Sequence, residues 1–220
     1  MKIIDFHTHV LPGADHGSDS LQTSLKQIEL AKEASVNVIV ATPHFYPHRH
    51  KLSAFLKRRE ASYLELKGAT DATVLCGAEV LLCEKFENFE NIDSLCIEGT
   101  KTILLELPFS AFKESYINTV EELIERGYDI VLAHAERYPV SSIDSLLAVG
   151  AKIQLNASAL SGIFVKNHIK RWLAAKDVVA IGSDIHMVSK KHYNSLIKAR
   201  KKLKGAFDDI MERSEKYLNL

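Results

Sequence analysis

The sequence has few cysteines, no excess charge of either sign and no long apolar run, and each absence excludes a class of protein. Its three cysteines, Cys76, Cys83 and Cys96, cannot all pair within one chain, so we expect a reducing compartment rather than a disulfide framework. The 28 basic and 28 acidic residues cancel, which excludes a nucleic-acid binder that relies on overall positive charge. No apolar segment approaches the roughly 20 residues of a membrane span, and the start, MKIIDFHTH, turns polar too early for a signal peptide. We therefore predict a cytoplasmic protein without direct membrane insertion.

Three common catalytic motifs are also absent. No cysteine is followed six positions later by arginine, since those positions hold Leu82, Phe89 and Thr102, so the loop of cysteine phosphatases is missing. Neither the GxSxG turn of serine hydrolases nor the GxxxxGK[ST] phosphate loop occurs. A thiol or serine nucleophile therefore has little support.

Short apolar runs rich in β-branched residues alternate with amphipathic stretches. The seven runs are Lys2–Phe6, Val36–Ala41, Ala72–Cys76, Thr102–Leu107, Asp129–Ala133, Lys152–Leu155 and Asp177–Ile181. Such continuous runs are typical of parallel strands buried on both faces. Helical spacing predicts helices in Ser20–Ser35, Thr119–Arg126 and Ile163–Ala175, with helix ends near Gly127, Gly150 and Gly205.

This alternation predicts an α/β protein with a parallel sheet, and we expect one domain over residues 1–220. Because no glycine-rich dinucleotide turn is present, a closed or nearly closed (β/α) barrel is favoured over an open doubly wound sheet. Asn88–Gly99 is expected to be a loop or short helix. Met187–Lys204 carries seven basic and no acidic residues, which indicates a solvated helix or, second, a basic rim for an anionic substrate.

Histidine and acidic residues gather at the ends of the predicted strands. The segments that follow or close the strands read DFHTH, TPH, GAE, LELP, AHAER and GSDIH. In a parallel α/β barrel these ends open on one face, which holds the active site. The eight candidate ligands at these ends are His7, His9, His44, Glu79, Glu106, His134, Asp184 and His186, and Asp15 in the following loop is a ninth.

The candidate ligands are imidazoles and carboxylates without thiolates. This set suits manganese, iron or zinc at a catalytic site, and its size implies two or three ions. Ions about 3.5–4 Å apart can bind a phosphate, lower the pKa of a bridging water and stabilise a leaving oxygen. A single histidine at a strand end is more often structural, and we assign His16, His48, His50, His168 and His192 to that class.

Seven short sequence motifs occur along nearly the whole chain, in an order that is shared with a known superfamily. They are DFHTHVLPGADHG, ATPHFY, GAEV, LLELPF, LAHAERY, QLNASALSG and IGSDIH. Together they resemble the polymerase and histidinol phosphatase (PHP) superfamily. They resemble more closely its bacterial branch of tyrosine-protein phosphatases, which act in capsular and exopolysaccharide synthesis.

The resemblance implies a distorted (β/α)₇ barrel with a trinuclear, often manganese, centre. It places the nine candidates named above on metal-binding positions and Arg137 on a phosphate-binding arginine. It also implies a phosphotyrosine protein as substrate, namely the tail of a partner tyrosine kinase; oligomerisation stays open.

The chain departs from the branch pattern at three points. Ala135 replaces a proline in HPERY, and His16 replaces the second aspartate of DDG, as an extra ligand or a simple substitution. Lys190 and Lys191 occupy the region of a second arginine, and lysine cannot form the bidentate fork.

The leading hypothesis is a metal-dependent protein-tyrosine phosphatase in which a metal-activated water attacks phosphorus. Arg137, with Lys191 as a second candidate, would stabilise the equatorial oxygens. His44 or Asp15 would protonate the leaving group. The alternatives are a small-molecule phosphatase acting, for example, on histidinol phosphate, and a barrel that binds a kinase without catalysis.

Overall fold

The computed structural model describes residues 1–109 and 112–220 of the chain. Its strands are β1 (Ile4–Thr8), β2 (Val38–Ala41), β3 (His44–Phe45), β4 (Thr73–Cys76), β5 (Glu79–Leu81), β6 (Thr102–Glu106), β7 (Asp129–Leu132), β8 (Lys152–Asn156) and β9 (Val178–Gly182). Its α-helices are α1 (Leu21–Glu33), α2 (Leu52–Ala69), α3 (Ser115–Glu125), α4 (Val140–Ala148), α5 (Ala157–Ser161), α6 (Asn167–Ala174), α7 (Lys190–Leu203) and α8 (Gly205–Tyr217).

The strands form a distorted parallel barrel, as predicted. One sheet has the order β1-β2-β4 and the other the order β3-β5-β6-β7-β8-β9, and the registered pairs are all parallel. The sheets are joined because β2 and β4 each break for two residues and resume as β3 and β5. A parallel bridge between Thr8 and Ile185 and a hydrogen bond of 2.9 Å from Asp184 N–H to the His7 carbonyl connect the last strand to the first.

All seven predicted strands are present within a few residues of their expected ends. The two additional strands, β3 and β5, are the continuations that carry His44 and Glu79. The predicted irregular stretch Asn88–Gly99 overlaps two short 3₁₀ helices, Phe86–Asn88 and Ile92–Leu95.

Two helix predictions need correction. The helix expected from Ile163 begins at Asn167, and Ile163 and Phe164 are almost fully exposed. Gly127 and Gly150 follow helices with positive φ of 84° and 103°, as predicted, but Gly205 begins α8, and Lys204 takes the positive φ of 50°. The glycine is therefore displaced by one residue from the turn that it was expected to form.

The strands are buried on both faces, which explains why apolar and polar residues do not alternate strictly along them. The five residues of β1, of β6 and of β9 are all buried. Their polar members therefore stand out, because a buried polar group is costly without a partner. In the described parts of the chain, no helix is both long and apolar enough to cross a membrane.

Candidate metal centre

The carboxylate of Glu79 lies at the centre of a group of four histidines. Glu79 is the first residue of β5 and is completely buried. Its Oε2 lies 3.1 Å from His7 Nε2, 3.3 Å from His9 Nε2 and 3.0 Å from His44 Nδ1. Its Oε1 lies 2.7 Å from His134 Nε2. Histidines from three different strand ends therefore converge on one carboxylate.

Two further carboxylates flank this centre. Glu106, at the end of β6, places its oxygens 3.8 Å from His44 Nδ1 and 3.7 Å from His134 Nε2. Asp184 Oδ1, just after β9, lies 3.5 Å from both His9 Nε2 and His186 Nδ1. The donor atoms form three overlapping groups within 4.8 Å: His9 with His44 and His186, His7 with His9 and Glu79, and His44 with Glu79 and Glu106.

Two of these donor atoms lack hydrogen-bond partners among the described residues, which suits binding of a divalent cation. Glu79 Oε2 and His44 Nδ1 are buried and only 3.0 Å apart, yet neither makes an aligned hydrogen bond with a described residue. Burial and the negative charge of Glu79 also raise the pKa of Glu106 to about 7. Adjacent buried carboxylates and unpaired imidazole nitrogens are stabilised by a metal ion, which both can coordinate.

Hydrogen bonds behind the histidines fix which ring nitrogen faces the centre. His7 Nδ1 lies 3.1 Å from Gln154 Oε1, and His9 Nδ1 lies 2.7 Å from Asp15 Oδ2. Because an amide oxygen and a carboxylate accept, each Nδ1 donates and each Nε2 keeps its lone pair for the centre.

Asp15 lies at the site mainly as the partner of His9. Its Oδ2 also accepts the main-chain N–H of His44 at 3.0 Å, and its Oδ1 accepts that of Gly17 at 2.8 Å. Burial raises the pKa of Asp15, but the hydrogen bonds and the charge of His9 outweigh burial and lower it below its usual range. Asp15 belongs to none of the three donor groups, so its predicted role as a ligand stays a prediction.

The backbone at the site requires glycine at two positions. A Cβ on Gly182 would lie 2.6 Å from His7 Cβ, and one on Gly17 would lie 2.4 Å from His9 Cβ. His134 and Asp184 have positive φ of 33° and 54°, which residues other than glycine rarely adopt. Such backbone conformations are concentrated at functional sites, where the surrounding structure compensates for their cost.

A cavity of about 560 Å³ opens over the centre. Arg137, in a 3₁₀ turn after β7, lines it with a half-exposed side chain whose guanidinium donates to the Asp184 carboxylate. The ion pair is thus with Asp184, not with the adjacent Glu136. Lys191 lines the same cavity, whereas Lys190 points away and lies 3.5 Å from Glu33. Only one of the two lysines is therefore placed to reach a ligand.

The site also includes His16, which the sequence left open as an extra ligand, and residues such as His192, Gln154 and Asn156 that were not among the sequence-based candidates. His16 stacks on His44 with ring centroids 4.7 Å apart, and His192 lines the cavity. Gln154 accepts from His134 N–H at 2.7 Å and donates to Asn156 Oδ1 at 3.0 Å. The sequence pattern could have identified Gln154 and Asn156. They are polar residues two positions apart at the end of an apolar strand, which is the same spacing that pointed to His7 and His9.

The other three histidines assigned to structural roles lie outside the donor groups. His50 Nδ1 accepts from the Tyr46 N–H, and His48 Nε2 accepts from the Arg49 side chain. The ring of His168 packs edge-on against Trp172 on α6.

The chain resembles known proteins over most of its length. A family model described as "Capsular polysaccharide synthesis, CpsB/CapC" matches residues 3–214. The tyrosine-protein phosphatase YwqE of Bacillus subtilis (strain 168) is 28% identical over 205 residues, which cover 88% of this chain and 81% of YwqE. The tyrosine-protein phosphatase CpsB of Streptococcus pneumoniae is 23% identical over 204 residues, which cover 84% of this chain and 83% of CpsB.

A solved structure gives the same result for the fold. It comes from crystal structures of YwqE and CpsB, described as unique metal-dependent tyrosine phosphatases, and superposes with a TM-score of 0.81. The match is 26% identical and covers 99% of this chain and 94% of the other.

Proposed function

Since the chain belongs to the CpsB/CapC family of capsular polysaccharide synthesis, we propose that it is a metal-dependent protein-tyrosine phosphatase, a phosphoric monoester hydrolase. The observation that carries the proposal is the convergence of three imidazole–carboxylate donor groups on Glu79 beneath a cavity lined by Arg137. A metal centre that lowers the pKa of water and a cationic group that binds the phosphoryl oxygens together suit the hydrolysis of a phosphate monoester.

The nine strand-end and loop residues predicted as ligands are the residues that would hold the metals. Divalent ions bound there supply positive charge for the phosphoryl group and lower the pKa of water. Gln154 and Asp15 keep the histidine Nε2 atoms directed toward the metals. Arg137 binds the phosphoryl oxygens with charge-assisted hydrogen bonds, and Lys191 adds a second positive charge.

The mouth of the cavity suits an aromatic phosphate ester. Phe109, after β6, and Met187, after β9, both line it and are 79% and 68% exposed. The mouth of the cavity therefore carries two exposed apolar side chains, one from each of two different strand ends. A tyrosine ring packed against these side chains would remove apolar surface from water, which is favourable by about 25 cal/mol per Å².

We also propose the finer points that the comparisons leave open. Manganese is the first choice of metal because of the resemblance to the PHP superfamily, and iron or zinc are alternatives, since all three metals accept mixed imidazole and carboxylate ligands. The substrate would be a phosphotyrosine protein, specifically the tail of a bacterial tyrosine kinase. A cytoplasmic location fits the three cysteines, which are all free.

A substrate comparison with purified, manganese-loaded protein tests the proposal. A phosphotyrosine peptide should be hydrolysed with a higher kcat/KM than histidinol phosphate, because the latter is an alkyl ester whose polar imidazole offers less apolar surface to the mouth than a phenyl ring. Preference for histidinol phosphate would instead support a small-molecule phosphatase. Absence of turnover with both, at full metal content, would support a kinase-binding barrel and contradict the proposal.

A further inference from the structure

We propose that His192 is the general acid that protonates the tyrosine oxygen as it leaves phosphorus. This inference rests on the proposed phosphatase function and goes beyond it, because it assigns a role to a histidine outside the three donor groups.

His192 is held in place at the edge of the cavity. It lies in the first turn of α7, is partly buried, and lines the same cavity as Arg137 and His186. Its Nδ1 lies 2.9 Å from the carbonyl oxygen of Ser183. A carbonyl oxygen accepts, so Nδ1 donates the proton and the ring orientation is fixed.

This hydrogen bond gives the ring the tautomer that proton transfer requires. Within the described parts of the chain, no hydrogen bond occupies Nε2 of His192. The imidazolium carries a proton there, and after its loss the neutral ring keeps the Nδ1 proton on the Ser183 carbonyl. The hydrogen bond to Ser183 can therefore be kept both before and after His192 gives up its Nε2 proton, as a general acid requires.

The two proton donors predicted from the sequence, and the nearby hydroxyl of Tyr46, are less suitable. His44 directs Nδ1 toward Glu79 at 3.0 Å and Nε2 toward His186 at 3.5 Å, so both ring nitrogens face the donor groups. Both oxygens of Asp15 already accept hydrogen bonds, and its pKa is lowered. Burial and nearby carboxylates raise the pKa of Tyr46 to about 12, so its hydroxyl is a weaker acid than an ordinary tyrosine at about 10.

The step balances as a simple hydrolysis. The bond between phosphorus and the tyrosine oxygen breaks, and a bond from a water oxygen to phosphorus forms. The Nε2 proton of His192 passes to the tyrosine oxygen, giving the neutral phenol. A proton released by the attacking water returns, through solvent, to His192, so the products are tyrosine and inorganic phosphate.

The dependence of the rate on the leaving group tests this role. We would compare wild-type protein, His192→Asn and His192→Ala on a phosphotyrosine peptide and on p-nitrophenyl phosphate. The side-chain amide of asparagine offers a donor for the Ser183 carbonyl but no titratable proton. Loss of a general acid should lower kcat for phosphotyrosine by about 10²-fold or more. The loss should be much smaller for p-nitrophenyl phosphate, because p-nitrophenolate leaves without protonation.

Three further measurements separate proton donation from a structural role. Metal content, thermal midpoint and the affinity for inorganic phosphate should stay near wild-type values in His192→Asn. His168→Asn, which changes a histidine on α6 outside the cavity, should leave both rates unchanged. An equal loss on the two substrates, or no loss on either, would overturn the assignment of His192. If wild-type protein hydrolyses neither ester, the proposed function fails, and the inference about His192 falls with it.

Discussion

Replacement of Gln154 by leucine should weaken metal binding although Gln154 is not itself a candidate ligand. The completely buried amide accepts from His7 Nδ1–H and from the His134 main-chain N–H, and it donates to Asn156. Leucine would leave the His134 N–H without that acceptor, at a cost of about 1–3 kcal/mol for a buried unsatisfied group. It would also release the ring of His7, and loss of such an outer contact typically lowers metal affinity by about 10–100-fold.

The assay is a manganese titration beside thermal unfolding of the chelated protein. We expect the dissociation constant for Mn²⁺ to rise by at least about 10-fold. We expect the thermal midpoint of the metal-free protein to fall by a few degrees, since about 1 kcal/mol corresponds to roughly 2–4 °C in a chain of this size.

Gln27→Leu is the matched control. Gln27 lies on α1 and is equally buried, but its amide oxygen and nitrogen have no hydrogen-bond partner among the described residues. Leucine there should therefore leave the unfolding midpoint unchanged or raise it, and should not alter metal affinity. Wild-type metal affinity in Gln154→Leu, or equal losses in both variants, would refute the reasoning.

Four other predictions follow from the same geometry. Arg137→Ala should lower kcat/KM for phosphotyrosine by roughly 10²-fold at normal metal content, and Arg137→Lys should recover only part of it, because a point charge does not reproduce the fork; wild-type kinetics in both variants would exclude a phosphate contact. His7→Ala or Glu106→Ala should lower kcat by at least about 10²-fold, and His168→Ala should not; equal effects at all three positions would contradict the ligand assignment. Gly182→Ala should lower metal affinity and stability together, since its Cβ would meet His7 Cβ at 2.6 Å; an unchanged titration and thermal midpoint would count against this close approach. Manganese affinity should rise between about pH 6 and 8, because binding needs neutral imidazole. Burial lowers the pKa of His7, but the charges of Glu79 and Asp184 outweigh burial and raise this pKa in the metal-free protein. A manganese affinity that does not change with pH would therefore be evidence against His7 as a ligand.

The sequence predicts the barrel because its strands are buried on both faces. Continuous apolar runs such as Thr102–Glu106 carry that information locally, and the polar residues at their ends all reach one face in a parallel barrel. His7 and His9 could thus be placed together, and Asp184 and His186 added from the last strand, before any contact was known.

Contacts between segments that are distant in the chain could not be predicted from the sequence. His192 is 148 residues from His44 in the numbering, and it reaches the cavity through the packing of α7 against α5 and its hydrogen bond to the Ser183 carbonyl. The role of Asp15 depends on the side-chain conformation that directs its Oδ2 to His9. Ile163 and Phe164 are apolar but exposed, and they lie before the helix rather than in it. The apolar periodicity therefore placed the start of the predicted helix four residues too early.

The most direct test of the account is to measure metal content and phosphotyrosine turnover in the same samples, before chelation, after chelation and after addition of Mn²⁺. The account predicts two or three ions per chain in the active protein, loss of turnover with loss of metal, and recovery of both on addition of Mn²⁺. Full turnover of phosphotyrosine peptide by protein shown to be free of metal would contradict it.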